Sequence, residues 1–483
     1  YELDTILSKH FGDRAGLVLD LASYMVIEGR NQGQYYPDYA YRHPLFTPNM
    51  WIASDSTISK FLSDVTDDQI TGFLNDWNKG RDHKSRIYLS YDSTNKNCQA
   101  GDVDFVEFGK AKVDIGSPIF NVGLAMDQNN RIPLFYELYP GSINDVSQFR
   151  FMVDKAISYG YKNIGFVIDR GYFSKANIQY MDEHKFNFVM MVKGCKPLVC
   201  ELIDEHRGTF ESRRDCSIPR QHLNGTTIKH KLFPEDEKER YLHLFFSPVK
   251  MMKERCQLEN ELEQMQRLFD SSRGKKIAPG ELQSKFFDFL YDKDDCLVLV
   301  KEKTDVVEKE LERCGYFTIV TSEKMTAQEA YQLYFGRDGS EKLFRADKSF
   351  LGAKSTRVHS ASSVQTKMLI EFIALIIRQR MYCLLKDEML KLNVRKNYMT
   401  VPAAIKELEK IELVRINQGR YQLDHAVTKN QEEILRSFGL TKNHVISRAA
   451  EISDAIAKSQ TDNLSDELGD EEEDDEMTFM GMY

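Results

Sequence analysis

Apolar residues recur at helical spacing through the first 85 or so positions, after which the period changes to two. Between Thr5 and Glu28 they fall at Leu7, Phe11, Leu17, Leu19, Leu21 and Met25, a spacing that predicts helix. A loop with Pro37, Pro44 and Pro48 follows. Next come two short helices, one with Ile58, Phe61 and Leu62 behind a cap at Ser54 or Asp55, the other with Ile70, Phe73 and Leu74 behind Thr66 or Asp67. Such a pair reads equally as a helix-turn-helix or as a helical subdomain packed beside a core. From Arg86, Ile87, Leu89 and Tyr91 alternate with Tyr88, Ser90 and Asp92, as on a strand. Strand patterns continue at Phe105–Phe108, Ile119–Ala125 and Ile132–Leu138, with Asn129 and Asn130 as the hairpin turn.

An amphipathic helix over Asp145–Tyr159 leads into Ile164–Ile168, an apolar run of the kind buried on both faces of a sheet, and Asp169 is the first polar residue after it. A helix at Ser174–His184 and a strand at Phe188–Val192 close this stretch. A meander followed by alternating helices and strands predicts an α/β fold with a ribonuclease-H-like (RNase H-like) mixed sheet flanked by helices. Ligands of open α/β sheets bind beyond the carboxyl ends of strands, where Asp92 and Asp169 are both expected.

The alternation stops at 199–312. This stretch holds a polar segment (Arg207–Asn224), a strand at Tyr241–Phe246, a charged helix over Val249–Phe269 with a stripe of Met252, Cys256, Leu262, Met265 and Phe269, and a strand at Cys296–Val300. It reads as a β-rich and helical insertion. Strand pattern returns at Tyr316–Val320, and Thr326 caps a helix that Gly336 and Gly339 weaken enough to allow a kink. The expected organisation is a helical N-terminal region (1–85), a core in two parts (86–198 and 313–385) around the insertion (199–312), a C-terminal module for dimerisation or DNA contact (386–460) and an acidic tail (461–483). That module contains a helix over Val401–Ile411 and a hairpin around Asn417-Gln418-Gly419.

On the Thr326 helix, Tyr334, Arg337, Glu341 and Lys348 lie at offsets of three, seven and fourteen. At about 100° per residue they share a stripe roughly 60° wide and ~21 Å long. One carboxylate, two cations and a phenol in a row suit a phosphate backbone beside a metal site. Asp92 and Asp169 would complete a three-carboxylate cage with Glu341. Three converging carboxylates can hold two Mg²⁺ ions for phosphodiester chemistry without His or Cys, because Mg²⁺ prefers hard oxygen ligands. Arg337 and Lys348 would hold flanking phosphates, one as a fork and one as a point charge. His359, downstream, reads as structural, because two-metal chemistry needs no histidine base.

Charge at first sight argues against a nucleic-acid partner, since the net is −9 from 65 basic and 74 acidic residues. Ten of the acids lie in 461–483, which has no Lys or Arg; without them 64 acids face 65 bases, a net of +1. A block of like charge is expected to stay disordered, either simply solvated or acting as a DNA mimic over the protein's own basic groove. The eight cysteines form no CxxC pair, which predicts reduced thiols in a cytoplasmic protein and no structural zinc. No apolar run approaches the ~18 residues of a membrane span. With Tyr1 first and no signal-peptide pattern, the sequence is consistent with a start inside a longer chain.

These motifs together resemble the DDE-type insertion-sequence transposases that carry a Y-R-E-K motif, over about Tyr91 to Arg378 apart from the insertion. Tyr91-Asp92-Ser93-Thr94 is similar to the family's first-aspartate strand, and Asp169-Arg170-Gly171-Tyr172-Phe173-Ser174 to its second-aspartate motif. Gly109-Lys110-Ala111-Lys112, Pro133-Leu134 and Pro140-Gly141-Ser142-Ile143-Asn144-Asp145 resemble its hairpin and loop, and Tyr334, Arg337, Glu341 and Lys348 match Y-R-E-K without a gap. Two features depart: Ser142 stands where the family usually has Asn, and neither Trp51 nor Trp77 falls in the insertion, where some relatives stack a flipped base on Trp.

The resemblance implies two Mg²⁺ ions, with Mn²⁺ as a substitute, held by Asp92, Asp169 and Glu341. It implies metal-dependent cleavage at transposon ends and strand transfer into target DNA by a prokaryotic, nucleoid-associated homodimer that binds terminal inverted repeats. Two alternatives stay open: an inert or domesticated DNA-binding derivative, and a nuclease of the same fold without the joining step.

Overall fold

The computed structural model describes residues 2–83, 85–98, 103–109, 116–143, 145–193, 196–336, 355–416 and 420–458. The chain packs as two compact units, 1–163 with 338–483, and 164–337.

The first unit begins with five helices: α1 (Leu3–Phe11), α2 (Ala15–Glu28), α3 (Tyr36–Ala40), α4 (Asp55–Asp64) and α5 (Asp67–Lys79). The helix expected over 5–28 is thus broken, at Gly12, whose φ of 54° ends α1 in a conformation that favours glycine. Ser54 caps α4 by accepting from the Thr57 N–H, and Thr66 and Gln69 form a reciprocal capping box on α5. Ile58, Phe61, Ile70, Phe73, Leu74 and Trp77 all enter one hydrophobic core, and the Trp77 indole donates to the Pro133 carbonyl (2.9 Å). That is the packing of a subdomain seated on a sheet.

The sheet beneath is an antiparallel meander of β1 (Ile87–Cys98), β2 (Ile119–Asp127) and β3 (Ile132–Pro140), followed by helix α6 (Asp145–Ser158). Asp127 Oδ1 accepts from the Asn129 and Asn130 N–H groups and so shapes the β2–β3 turn. The strand expected at Phe105–Phe108 is a single bridge between Glu107 and Ile119.

The second unit contains β4 (Ile164–Ile168), α7 (Lys175–Glu183), β5 (Asn187–Met191), α8 (Lys196–His206), β6 (Ser217–Ile218), β7 (Leu223–Lys231), β8 (Glu239–Phe246), α9 (Pro248–Ser271), α10 (Glu281–Phe286), β9 (Phe287–Tyr291), β10 (Leu297–Glu302), α11 (Thr304–Glu312), β11 (Tyr316–Thr321) and α12 (Ala327–Gly336). Its mixed sheet runs β4-β5-β11-β8-β7-β6; β4 and β5 are parallel and every other pair is antiparallel. Strands from 217–246 therefore extend the sheet that starts at β4, whereas α9, β9, β10 and α11 close a separate small core around Leu262, Phe269 and Phe287.

The chain then returns to the first unit with β12 (Ser355–Thr356), α13 (Ala361–Leu392), α14 (Val401–Leu408), β13 (Leu413–Arg415), β14 (Tyr421–Leu423) and α15 (Lys429–Ser437). β12 pairs in parallel with the end of β1, and the 32-residue α13 lies in the same core as the N-terminal helices and β2. The element order, a three-stranded meander, a helix, then a strand–helix–strand with parallel pairing, is the expected RNase H-like α/β layout of mixed sheets flanked by helices. Among the described residues no helix is long and apolar enough to cross a membrane, and the seven described cysteines are all free.

Candidate active site

Asp92 lies inside β1, opposite Leu124 of β2, and not near a strand end as the sequence led us to expect. The strand continues because Ser93, Thr94, Asn95, Lys96 and Asn97, polar as they are, are buried and paired to β2. Lys96 is the extreme case: its ammonium is ion-paired to Glu371 of α13, with both side chains fully buried. Alternation puts Asp92, Thr94 and Lys96 on one face of β1. The Asp92 Oδ1 accepts from the Ser93 N–H (2.8 Å), and the residue is half-buried.

Its neighbour Tyr91 lies over Gly123 of β2, where a Cβ would stand 2.0 Å from the phenol oxygen. Only glycine fits beneath that ring.

Asp169 directly follows β4 and opens a one-turn 3₁₀ segment, Arg170–Tyr172. The turn is fixed by the Tyr172 N–H to the Asp169 carbonyl (3.0 Å) and by Asn177 Nδ2 donating to the Tyr172 carbonyl (3.0 Å). Ser174 then caps α7. A Cβ on Gly171 would stand 3.6 Å from Asp169 Oδ2, an ordinary contact distance, so the 3₁₀ turn brings Gly171 alongside that carboxylate. Farther along, Arg240 of β8 braces the end of α7 through Asp182 and also pairs with Asp236.

Tyr334 of α12 is 1% exposed, and its hydroxyl donates to Asp169 Oδ1 (3.4 Å). Thr326 and Glu329 exchange hydrogen bonds at the start of that helix, fixing where it begins. The tyrosine of the spaced motif and the second aspartate are therefore in contact across 165 residues of sequence. Arg337, Glu341 and Lys348 lie outside the described residues. Among the described residues no three His, Cys, Asp or Glu side chains cluster to hold a metal. The donor chemistry of Asp169 nevertheless fits a hard cation, since it is a carboxylate oriented by a phenol, with a glycine beside it.

Two arrangements escaped the sequence reading. The Tyr334–Asp169 contact left no signal, because spacing along a helix says nothing about a strand end elsewhere. The Lys96–Glu371 pair did leave one: Glu371 is a lone acid in the apolar run from Met368 to Ile377, and a charge at such a position calls for a buried partner.

A family model described as the Transposase DDE domain matches residues 92–377. No curated protein matches the chain in sequence. Among solved structures, a piggyBac transposase synaptic complex with hairpin DNA aligns at 9% identity and a TM-score of 0.35, over 85% of this chain. The chain spans 62% of that transposase's length.

Proposed function

The chain belongs to the DDE transposase family, whose domain covers more than half of it, and on that premise we propose that it cuts DNA at the ends of a mobile element and joins the freed ends to target DNA. The observation that carries this reading is the motif tyrosine, Tyr334, holding the motif carboxylate, Asp169, at the end of β4. Asp92, Asp169 and Glu341 would hold divalent metal, two Mg²⁺ ions in this reading with Mn²⁺ as a substitute, which when bound activates the attacking oxygen and stabilises the leaving oxygen at phosphorus. In this reading the Tyr334 hydroxyl, 3.4 Å from Asp169 Oδ1, helps orient the carboxylate, whose Oδ2 is the oxygen beside Gly171. Arg337 and Lys348 bind phosphates beside the bond being cut.

In the first step a water oxygen bonds to phosphorus and the 3′-oxygen of the element leaves as a hydroxyl. In the second, that hydroxyl attacks a target phosphodiester and displaces its 3′-oxygen. One P–O bond forms and one breaks in each step, so no external energy source is needed. Terminal inverted repeats and target DNA are the substrates, and a homodimer would hold two ends together.

The test is cleavage of DNA carrying the element's ends, with Mg²⁺ or with EDTA. Asp92→Asn, Asp169→Asn and Glu341→Gln should each abolish nicking while end binding persists. Normal cleavage by any of them removes that ligand. End binding without nicking by the wild type would establish the inert DNA-binding alternative, and nicking without strand-transfer products would establish the nuclease. Lys348→Ala should weaken binding and lower the log–log salt slope by about one, whereas an unchanged slope places Lys348 away from DNA.

A further inference from the structure

The first unit holds a cavity of about 460 Å³ where α2, the loop after it, the start of α4 and the segment leading into α13 meet. Neither Asp92 nor Asp169 lines it. One wall is basic, formed by Arg357, His359 and Lys367. Arg357 and His359 are exposed, and by themselves would be an ordinary solvated edge. Lys367 differs: it is 4% exposed, and among the described residues its ammonium forms no hydrogen bond or ion pair.

The carboxylate one turn along α13, Glu371, is already taken by the Lys96 ammonium and the Asn31 amide. Among the described residues these two buried ammonium groups have this one buried carboxylate near them, and of the two it is Lys367 that lines the cavity. Burial pushes the Lys367 pKa down while Glu371 pulls it back up. An unpaired ammonium out of water is strongly unfavourable, and an anion in the cavity would offset that.

Three further features fit an anion. Gln32 lines the cavity, and among the described residues its buried Oε1 has no hydrogen-bond partner; turning the amide would exchange that oxygen for the NH₂. Ser360 caps α13, and the first-turn N–H groups of this 32-residue helix give its N-terminus partial positive charge. Ser355, just before the basic segment, is tied down by Asn31 donating to its carbonyl (3.3 Å) and by β12 pairing with β1. The basic segment is thus anchored on both sides. Among the described residues one opposing carboxylate, Asp55, also lines the cavity, and against it Arg357 and Lys367 carry one net positive charge even with His359 neutral.

We propose that this cavity is a phosphate site built by Arg357, Lys367 and the start of α13, and that, resting on the reading above, its ligand is a backbone phosphate of the bound DNA other than the one being cut. A guanidinium fork, an ammonium and helix N-terminal donors together suit a phosphate, and the volume leaves room for the attached sugar.

The test uses the full chain as wild type, Arg357→Ala and Lys367→Met, the last keeping the length of the stem without its charge. Thermal unfolding is followed with inorganic phosphate and with a 5′-deoxynucleoside monophosphate, and duplex binding by anisotropy across a salt series. Each substitution should lower the log–log salt slope by about one and remove the stabilisation by phosphate seen in the wild type. Lys367→Met should also raise the midpoint of the unliganded protein. Unchanged slope and unchanged phosphate stabilisation in Arg357→Ala, whose side chain is exposed, would overturn the site. Phosphate stabilisation lost in the variants with an unchanged duplex slope would establish a free-phosphate site and overturn the DNA assignment. Lowered slopes in a protein that cleaves no DNA would keep the phosphate site and remove the transposase reading.

Discussion

His243 of β8 has both ring nitrogens engaged inside the second unit. Thr321 Oγ1 donates to the Glu323 carbonyl, so its oxygen is left to accept from His243 Nε2–H (3.0 Å). Nδ1 must then accept from the Thr227 hydroxyl (2.9 Å). The ring is held neutral, and burial pushes its pKa down to about 4. The unfolded chain takes up this proton near the ordinary histidine value of 6.5 while the folded chain refuses it until about 4. The site's contribution to stability is therefore complete above pH 6.5 and lost as pH falls toward 4, a difference of about 3 kcal/mol. Urea midpoints measured from pH 7 to 4.5 should fall more steeply for the wild type than for His243→Asn; parallel curves would mean the imidazole titrates normally.

Tyr334→Phe tests the other residue-scale contact. Losing one hydrogen bond to a carboxylate should weaken apparent metal affinity by roughly tenfold, read as the Mg²⁺ concentration for half-maximal nicking. The unfolding midpoint should barely move. A fallen midpoint with unchanged metal dependence would make the phenol a packing group. Both aspartates could be found in the sequence because each sits in a short motif beside an apolar run, but which side chain touches Asp169 could not, since that depends on packing between distant segments.

Among the elements, α13 shows how far the apolar pattern reaches. The apolar run Met368–Ile377 marks only its centre, yet the helix extends from Ala361 to Leu392, because Ser360 caps the front and the polar last turns remain helical. β1 was underestimated for the opposite reason: its second half is polar in sequence and buried in fact, made possible by partners on β2 and α13. β7 went unread, as only one face of Leu223–Lys231 is covered. The Lys96–Glu371 pair should behave as buried pairs do. Lys96→Met or Glu371→Gln alone should destabilise by about 3–5 kcal/mol, and Lys96→Met combined with Glu371→Leu by much less. Additive losses in chemical denaturation would show that the two side chains act independently.

At the scale of the whole molecule, the charge is divided between a nearly neutral body and an acidic tail. Removing 461–483 shifts the net charge from −9 to +1 by deleting ten acids. DNA should then bind several-fold tighter at low salt, with the difference fading above ~0.3 M as screening shortens its range. Equal affinity at low salt would mean the tail is merely solvated.

The first unit is also discontinuous in sequence: residues 1–163 supply its sheet and N-terminal helices, and α13, ending at Leu392, supplies a central part of its core. On the ribosome, the second unit is complete before α13 has been made. At ~5–20 residues per second, the apolar faces of α2, α5 and β2 wait roughly 10 to 50 s for the helix that covers them. A chain released inside that interval would lack α13 and so a central part of the core that its N-terminal helices and sheet are built to bury.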